Sequence, residues 1–325
     1  MPGTALHGRD AEPVIAQKLR SSEVGKFGKA LRMRIAESSS KLLNFATSQL
    51  PNFIIHKRIP MNQRKAILIA MCCLIGSLAG CAHEKEMVVS EADMPPPAAL
   101  FERLTADAAP GKTLVGILHV VASLPGERYT FKIAAAAKRP DSLRLEDLSV
   151  IGLPDFMLTV KGSEIRMLLP RSGEFMVGTE SSEPIRRIFP PAVKPLDLVA
   201  LLYGQPPGIF NAKSLKGSID GNRFRLDVYA QGTWAQSLWV DPVTGRLAKI
   251  EIADGHGNTA YRALFHDAVE VGSLTVPGRI EIETEGTAKV RLSLRNADME
   301  LVSRDDDPDF FLLKPPPGIT PKVSN

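Results

Sequence analysis

From about residue 110 onward, the chain either alternates apolar and polar residues or runs apolar for a few residues between turns. Residues 128–137 show the alternation clearly, because polar neighbours separate Tyr129, Phe131 and Ile133. This period of two is typical of a strand that buries one face. Strands are predicted in this way at 114–122, 128–137, 142–150, 156–161, 164–169, 174–178, 223–230, 236–240, 246–252, 259–266, 279–284 and 289–295. Gly-bearing turns such as 161–163 separate them, which predicts antiparallel hairpins in a meander.

Three short segments break the pattern with apolar residues at helical spacing: 98–107, 185–188 and 196–203. Pro195 suits the first turn of the last segment, and Gly204 suits its end. A meander of about twelve strands rarely stays flat. The sequence therefore predicts a mainly β (α+β) domain at 98–320. We expect a curved antiparallel half-barrel of about twelve strands with a few short covering helices.

The apolar face of this sheet carries many small side chains, including four consecutive alanines at Ala134–Ala137. Two interpretations stay open: the alanines leave space for a bound molecule, or they lie beneath the helices. Under the first interpretation the sheet encloses an apolar cavity, lined by residues of the strands and of the 196–203 helix. The predicted lining is Tyr129, Phe131, Ile133, Ala135, Leu143, Leu145, Phe156, Leu158, Leu198, Leu201 and Leu202.

The excess positive charge is concentrated in the N-terminal part of the chain. The net charge is +4, but the first 80 residues carry an excess of eight positive charges, which leaves −4 for residues 81–325. A duplex nucleic-acid reader draws much of its affinity from clustered Lys and Arg, so that class is excluded for the folded part. The three cysteines are Cys72, Cys73 and Cys81. Residues 82–325 therefore hold no disulfide, thiolate metal site or cysteine nucleophile.

Residues 61–80 have the layout of a secretory signal peptide, with a basic start, an apolar run over 66–75 and small residues before Cys81. The ending Leu78-Ala79-Gly80-Cys81 resembles the lipobox of bacterial lipoproteins. That resemblance implies that Cys81 receives the lipid and becomes the first residue of the mature chain. The alternative is a transmembrane helix over 66–82, at the short limit of the roughly 20 residues that span a bilayer.

A signal peptide should open a chain, so residues 1–60 need an explanation. The simplest is that Met61 is the initiator and that 1–60 form a disordered extension from a misassigned start. Residues 81–97 contain few large apolar groups and end in three prolines, which predicts an extended, lipidated tether. Ala82 follows the lipidated cysteine, where the sorting rule of enteric bacteria places an aspartate for inner-membrane retention. We therefore expect a lipid-anchored protein on the periplasmic face of the outer membrane.

Motifs of common enzyme chemistries are missing from the sequence. It has no Gly-x-Ser-x-Gly, no His-Glu-x-x-His, no Walker phosphate loop and no Gly-x-Gly-x-x-Gly between a strand and a helix. We interpret His119, His256 and His266 as strand or turn residues. The acidic run 305–307 lacks the spaced carboxylates of a calcium loop. The sequence therefore predicts a protein that is not an enzyme and that needs no metal or cofactor.

The order of elements resembles the carrier and the receptor of the lipoprotein-localisation (Lol) pathway, and most of all the lipidated receptor. The resemblance rests on the strand and loop 143–152, the helix and turn 196–207, and residues 310–318, which resemble the carrier's closing strand. It implies an incomplete barrel that holds acyl chains. It also implies a membrane-insertion loop at Ile151, Gly152, Leu153 and Pro154, with Leu153 as the inserted side chain.

Two functions remain in competition. The first is an outer-membrane-anchored protein that binds membrane lipids or lipoprotein acyl chains, and that receives lipoproteins from a periplasmic carrier and inserts them. A chain of ~16 carbons exposes about 0.8 kcal/mol per methylene to water, so an apolar interior suffices without catalytic groups. The alternative is a structural or assembly lipoprotein that binds a protein partner in the cell envelope. An apolar cavity closed at one end favours the first function, and a filled cavity with an exposed sheet edge favours the second.

Overall fold

The computed structural model describes residues 90–148, 154–186, 189–190, 192–208, 212–286, 289–304 and 307–324. Its helical elements are a 3₁₀ turn (Glu91–Asp93), α1 (Pro97–Thr105), α2 (Glu183–Arg186) and α3 (Pro195–Leu202). Its strands are β1 (Lys112–Leu124), β2 (Glu127–Lys138), β3 (Ser142–Asp147), β4 (Met157–Lys161), β5 (Glu164–Leu169), β6 (Glu174–Gly178), β7 (Ala212–Asp220), β8 (Arg223–Ala230), β9 (Thr233–Val240), β10 (Leu247–Ala253), β11 (Thr259–Val271), β12 (Leu274–Thr284), β13 (Arg291–Ser303) and β14 (Lys322–Val323).

All fourteen strands form one sheet, in the order β14-β6-β5-β4-β3-β2-β1-β13-β12-β11-β10-β9-β8-β7. Strands β1 to β6 run outward from the centre as one meander, and β7 to β13 run back from the far edge as a second, so that β13 pairs with β1. The pairs within these meanders are antiparallel, whereas β14 lies parallel to β6. The sheet is open and curved, which confirms the predicted fold class.

The twelve predicted strands are all present, and the structure adds β7 and β14. Sequence patterns missed β7 because Ala212–Asp220 is an edge strand with polar residues at most positions and little apolar alternation. Strand β14 has only two residues. Strand β12 begins at Leu274 rather than at 279, and it passes through Pro277 and Gly278 without ending. A proline and a glycine in sequence predict a break, but the β11 hairpin partner holds this segment in the ladder.

The connection from β6 to β7 joins strands that lie far apart in the sheet, so it has to cross one face. This segment carries α2 and α3, and α3 contacts β2, β3 and β12. We call the face under α3 the inner face; Ile133, Ala135 and Leu145 belong to it. Val199, Leu201 and Leu202 of α3 are buried in the same apolar cluster. The main core therefore lies between the inner face and the crossover helix.

The outer face is covered on its β1 to β6 side by the C-terminal segment 307–321. Phe310 and Phe311 pack on Ala134 and Ala136. Leu313 lies in a second outer cluster with residues of β4, β5 and β6. Residues 310–318, which we expected to resemble a closing strand, form no strand. Three prolines at 315–317 lack the amide hydrogens that a ladder needs.

Buried polar groups fix this segment to the sheet. Arg144, which is almost fully buried, forms an ion pair of 2.7 Å with Glu146 on the same strand. One Arg144 Nη donates to the carbonyl oxygen of Phe310 at 2.6 Å, and its guanidinium lies 5.0 Å from the Phe310 ring. The amide of Leu313 donates to Thr159 Oγ1 at 3.2 Å. Burial raises the pKa of Glu146, and Arg144 opposes that shift by favouring the charged carboxylate.

Candidate functional site

An apolar cavity of about 320 Å³ lies between the inner face of the sheet and α3. Four neighbouring strands (β3, β2, β1 and β13), the helix and the segments next to them build its wall. All sixteen lining residues are apolar: Leu118, Val120, Ala122, Leu124, Phe131, Ile133, Leu145, Phe156, Phe189, Pro190, Val193, Leu198, Leu202, Val290, Leu292 and Leu294.

Strand pairing brings the sheet part of this wall together. Every second residue of β1 from Leu118 to Leu124 points to the inner face. On one side Val120 pairs with Phe131 of β2, and on the other it pairs with Leu294 of β13. Helix α3 adds Leu198 and Leu202, which lie one turn apart on one face of the helix. Because β13 is far from β1 in sequence, this wall forms only when the two meanders join through the pairing of β1 with β13.

The cavity is closed at one end and open at the other. Leu118 and Ile133 are its innermost strand pair, and beyond them Leu114, Ala135 and Ala137 are buried in solid core. In this core the Tyr203 hydroxyl donates to the Ala137 carbonyl oxygen at 3.0 Å. Burial raises the pKa of Tyr203 to about 12, so it remains a neutral donor. At the other end Leu124 is 39% exposed, which marks the mouth.

The composition of the wall favours a hydrocarbon ligand over water. A water molecule needs two to four polar partners to occupy a buried site, and no side chain of this wall offers one. The volume of about 320 Å³ lies at the lower end of ligand cavities, which span roughly 300 to 1,000 Å³. An apolar cavity of about 150 Å³ accepts benzene, so this one has room for on the order of a dozen carbons. That is one acyl chain and not several.

The structure places the eleven predicted lining residues in three environments. Phe131, Ile133, Leu145, Phe156, Leu198 and Leu202 line the cavity. Ala135, Leu143, Leu158 and Leu201 are buried in the solid core beside it. Tyr129 pairs with Ala122 near the mouth but is 50% exposed and does not line the cavity, and its hydroxyl donates to the Glu127 carboxylate. The residues of β13 were missed, since no local pattern shows that β13 pairs with β1.

Several predicted sites fall outside the described residues. These are Cys81 with the signal peptide and most of the tether, and Ile151, Gly152 and Leu153 of the loop. Pro154 is described and is partly buried between β3 and β4. Of the histidines, His119, His256 and His266 all lie away from the cavity wall. Among the described residues no three His, Cys, Asp or Glu side chains come close enough to hold a metal ion.

A second cavity, of about 1,070 Å³, lies against α3 on the side of β8, β9 and β10. Its wall is mixed in polarity and includes Asp197 of α3. The hydroxyl of Tyr261, a fully buried residue of β11, donates to Asp197 Oδ2 at 2.9 Å. Burial raises the pKa of Asp197 to about 6, although this hydrogen bond favours the carboxylate. The contact ties the crossover helix to the second meander.

No protein-family model and no curated protein matches the sequence. A DUF1329 family protein from Desulfovibrio piger is similar in structure, with a TM-score of 0.51, 12% identity, and coverage of 67% of this chain and 98% of that chain. This likeness shows a shared fold. A LolA superfamily protein from Nitrosomonas europaea aligns with a TM-score of 0.49 and 12% identity, over 66% of this chain and 96% of its own. A domain from Vibrio parahaemolyticus, named for outer membrane lipoprotein sorting, aligns with a TM-score of 0.47 and 14% identity, over 66% and 94%.

At identities this low, function has to be argued from the site. In the described part of the chain, no helix is both long and apolar enough to cross a bilayer. The chemical features of the site are an apolar wall, a volume that one short hydrocarbon chain would fill, one open end and a short helix on one side.

Proposed function

We propose that this protein is a non-enzymatic, lipid-anchored component of the bacterial envelope that holds an acyl chain of a lipid or lipoprotein. The observation that carries the proposal is the cavity wall, whose sixteen residues are all apolar. Transfer of about a dozen methylenes from water into such a site is worth roughly 10 kcal/mol before the cost of association. Binding of one acyl chain needs no further chemistry.

The open end supports contact with a membrane. Strand β3 runs from the closed end toward the mouth, since Ala137 pairs with Leu143 and Ile133 pairs with Asp147. Strand β3 therefore points toward the open side of the cavity at its C-terminal end, and the connection to β4 follows it. Leu153 and its neighbours belong to this connection. In our proposal Leu153 enters the bilayer boundary while an acyl chain passes between the bilayer and the cavity.

The anchoring part of the proposal rests on sequence. The lipobox before Cys81 would supply the lipid, and 81–97 would tether the domain to the periplasmic face of the outer membrane. Two membrane contacts, a covalent lipid and a loop, hold a protein more firmly than either one does alone. In this arrangement the mouth would face the membrane from which it takes, or to which it gives, acyl chains of lipoproteins delivered by a periplasmic carrier.

A binding experiment tests the proposal directly. The full-length protein is titrated with a fluorescent fatty acid, and palmitate is then added as a competitor. We expect saturable binding of one fluorescent molecule per protein and complete displacement by palmitate. Mass spectrometry of the purified protein should identify a copurified acyl-bearing molecule. Absence of saturable binding would overturn the proposal.

One observation favours the alternative, a structural role with a protein partner. Strand β7 forms one edge of the sheet, and its side chains at Ser214, Lys216 and Ser218 are exposed. Sheet edges pair readily with added strands, although an edge lysine discourages this. A photo-crosslinking residue at Ser218 would test it in cells: a specific protein adduct supports a partner at β7, and no adduct argues against one there.

A further inference from the structure

The second cavity is separated from the acyl site by α3. Leu198 and Leu202 of α3 line the apolar cavity, whereas Leu196, Asp197 and Ala200 line the cavity of about 1,070 Å³. The remaining wall comes from the β8–β9 turn, the end of β10, the C-terminal part of α1, the β2–β3 turn and the segments before and after α3. It is a distinct compartment on the same inner face, so an inference about its ligand goes beyond acyl binding.

Gln236 of β9 is the unusual residue of this wall. Its side chain is fully buried, and neither the amide nitrogen nor the amide oxygen has a hydrogen-bond partner. It lies between Val228 of β8 and Ile252 of β10, two apolar neighbours in the sheet. Exchange of the amide oxygen and nitrogen changes nothing, because both atoms lack partners. Buried side-chain polar atoms are nearly always bonded, so Gln236 points to a missing ligand.

The charged groups of the wall are already occupied by protein partners. The Arg139 guanidinium donates to the carbonyl oxygen of Thr105 at 3.0 Å. Lys194 forms an ion pair of 3.2 Å with Glu180, Asp197 accepts from Tyr261, and Asp141 accepts from the Ser142 hydroxyl. None of these contacts involves Gln236, whose side-chain amide is itself uncharged. The arrangement therefore favours an uncharged ligand that offers one donor and one acceptor to the Gln236 amide.

We propose that this cavity binds an uncharged peptide segment, whose backbone N–H and C=O groups pair with the side-chain amide of Gln236. A peptide unit has one N–H donor and one C=O acceptor, which match the amide oxygen and the amide nitrogen of Gln236. The volume exceeds the upper range of small-ligand cavities, roughly 1,000 Å³, so it fits a chain of several residues. Leu196, Trp234 and Ile252 supply apolar walls for its side chains.

Calorimetric titration of the full-length protein with the blocked peptide acetyl-Ala-Leu-Ala-Leu-amide tests this. We expect the natural protein to bind it, and Gln236→Met to bind it at least tenfold more weakly. The methionine has a similar length but no donor or acceptor. It also removes two unsatisfied polar atoms from the core, so the ligand-free Gln236→Met protein should melt a few degrees higher than the natural protein. A purely structural glutamine would give a lower melting temperature.

Two control variants separate this site from its surroundings. Gln205→Met makes the same chemical change at a glutamine that donates to the Ala106 carbonyl oxygen at 2.6 Å and lies outside this wall. It should bind the peptide normally. Ala122→Phe obstructs the acyl cavity and should also leave peptide binding unchanged. A failure of the acyl-binding proposal can therefore be distinguished from a failure of the peptide-binding proposal. The proposal is overturned by a natural protein that does not bind the peptide, by equal binding to Gln236→Met, or by a Gln236→Met protein that melts lower.

Discussion

Obstruction of the apolar cavity by one substitution gives the sharpest test of acyl binding. Ala122 lies on the cavity wall near the mouth and is only partly buried, next to Leu292 of β13. A larger side chain at this position enters empty space rather than a packed core. We therefore expect Ala122→Phe to fold normally and to place its ring inside the cavity.

The size of the effect follows from the volume. A phenyl ring needs about 150 Å³ by comparison with a benzene-binding cavity, which is close to half of the 320 Å³ available. The variant thus loses room for about six carbons, worth roughly 5 kcal/mol at about 0.8 kcal/mol per methylene. Part of this is recovered where the displaced chain still touches the mouth. We expect dodecanoate to bind at least about 100-fold more weakly to Ala122→Phe than to the natural protein.

The assay compares fatty acids of increasing length as competitors for a fluorescent fatty acid. For the natural protein, affinity should rise about fourfold per methylene and level off near twelve carbons. For Ala122→Phe it should level off near six. The matched control is Ala297→Phe, because Ala297 is partly buried on β13 and pairs with Ile117, whose side chain belongs to the outer face. That variant should retain the natural length profile.

Two results would refute the reasoning. The first is a natural protein whose affinity keeps rising well beyond twelve carbons, since the chain would then lie in some larger site. The second is an Ala122→Phe protein that melts like the natural one and binds dodecanoate equally well. In either case the cavity under α3 would not be the acyl site.

Three further predictions concern the anchor, the loop and the crossover helix. Cys81→Ala should leave an unprocessed precursor without lipid, and label from a palmitate analogue that persists in this variant would contradict the assignment. Our proposal places Leu153 on the surface, where changes cost little, so Leu153→Glu should leave folding intact and should lower transfer of acylated protein to liposomes, because the roughly 2 kcal/mol of an inserted leucine is lost. A strongly destabilised Leu153→Glu protein would instead indicate a buried leucine. Normal transfer by a folded Leu153→Glu protein would remove the loop from the mechanism. Burial raises the pKa of Asp197 from 3.8 to about 6, so the protonated form is favoured in the folded state. The resulting stability is fully present below the lower value and is lost as pH rises through about 6, by up to about 3 kcal/mol. Urea unfolding of the natural protein and Asp197→Asn at about pH 4 and pH 7 should show this difference, and an equal gap between the two proteins at both pH values would argue against it.

Local pattern was enough to predict twelve of the fourteen strands, because short alternating or continuous apolar runs mark them. Segments 164–169, 174–178 and 223–230 coincide with β5, β6 and β8. The order of the strands in the sheet is a different matter. The pairing of β1 with β13 joins residues far apart in the chain, and it depends on how two meanders meet. No turn signal encodes that contact.

Isolated polar residues in strands were also beyond sequence reasoning. The sequence pattern shows Gln236 as one polar position in an ordinary strand, and it shows Asp197 as a polar residue on the exposed side of a short helix. Their significance arises from the crossover, which buries Tyr261 beneath α3 and places Gln236 on the inner face. Arg144 is similar, since its role depends on Phe310, which is distant in the chain.

The alanines show why side-chain size alone did not locate the cavity. Ala135 and Ala137 are buried in the core that contains α3, as the second interpretation expected, and Ala134 and Ala136 lie under Phe310 and Phe311 on the outer face. The cavity is lined mainly by leucine, valine, isoleucine and phenylalanine, with one alanine, Ala122, and one proline, Pro190. The free space inside a half-barrel depends more on the length of the element that covers the sheet than on the size of the sheet residues beneath that element.

The lengths of α3 and β1 account for both the filled and the empty part of the interior. Helix α3 has 8 residues, and at about 1.5 Å per residue it spans roughly 12 Å. Strand β1 has 13 residues, and at about 3.3 Å per residue it spans roughly 43 Å. A helix of that length cannot cover the whole inner side of β1: its Leu198 and Leu202 line one side of the cavity, and the mouth at Leu124 stays open. Leu118 and Val120 are buried in the main apolar cluster, whereas Ala122 and Leu124 toward the mouth are more exposed, so the open end is where an apolar ligand would extend the core in our proposal.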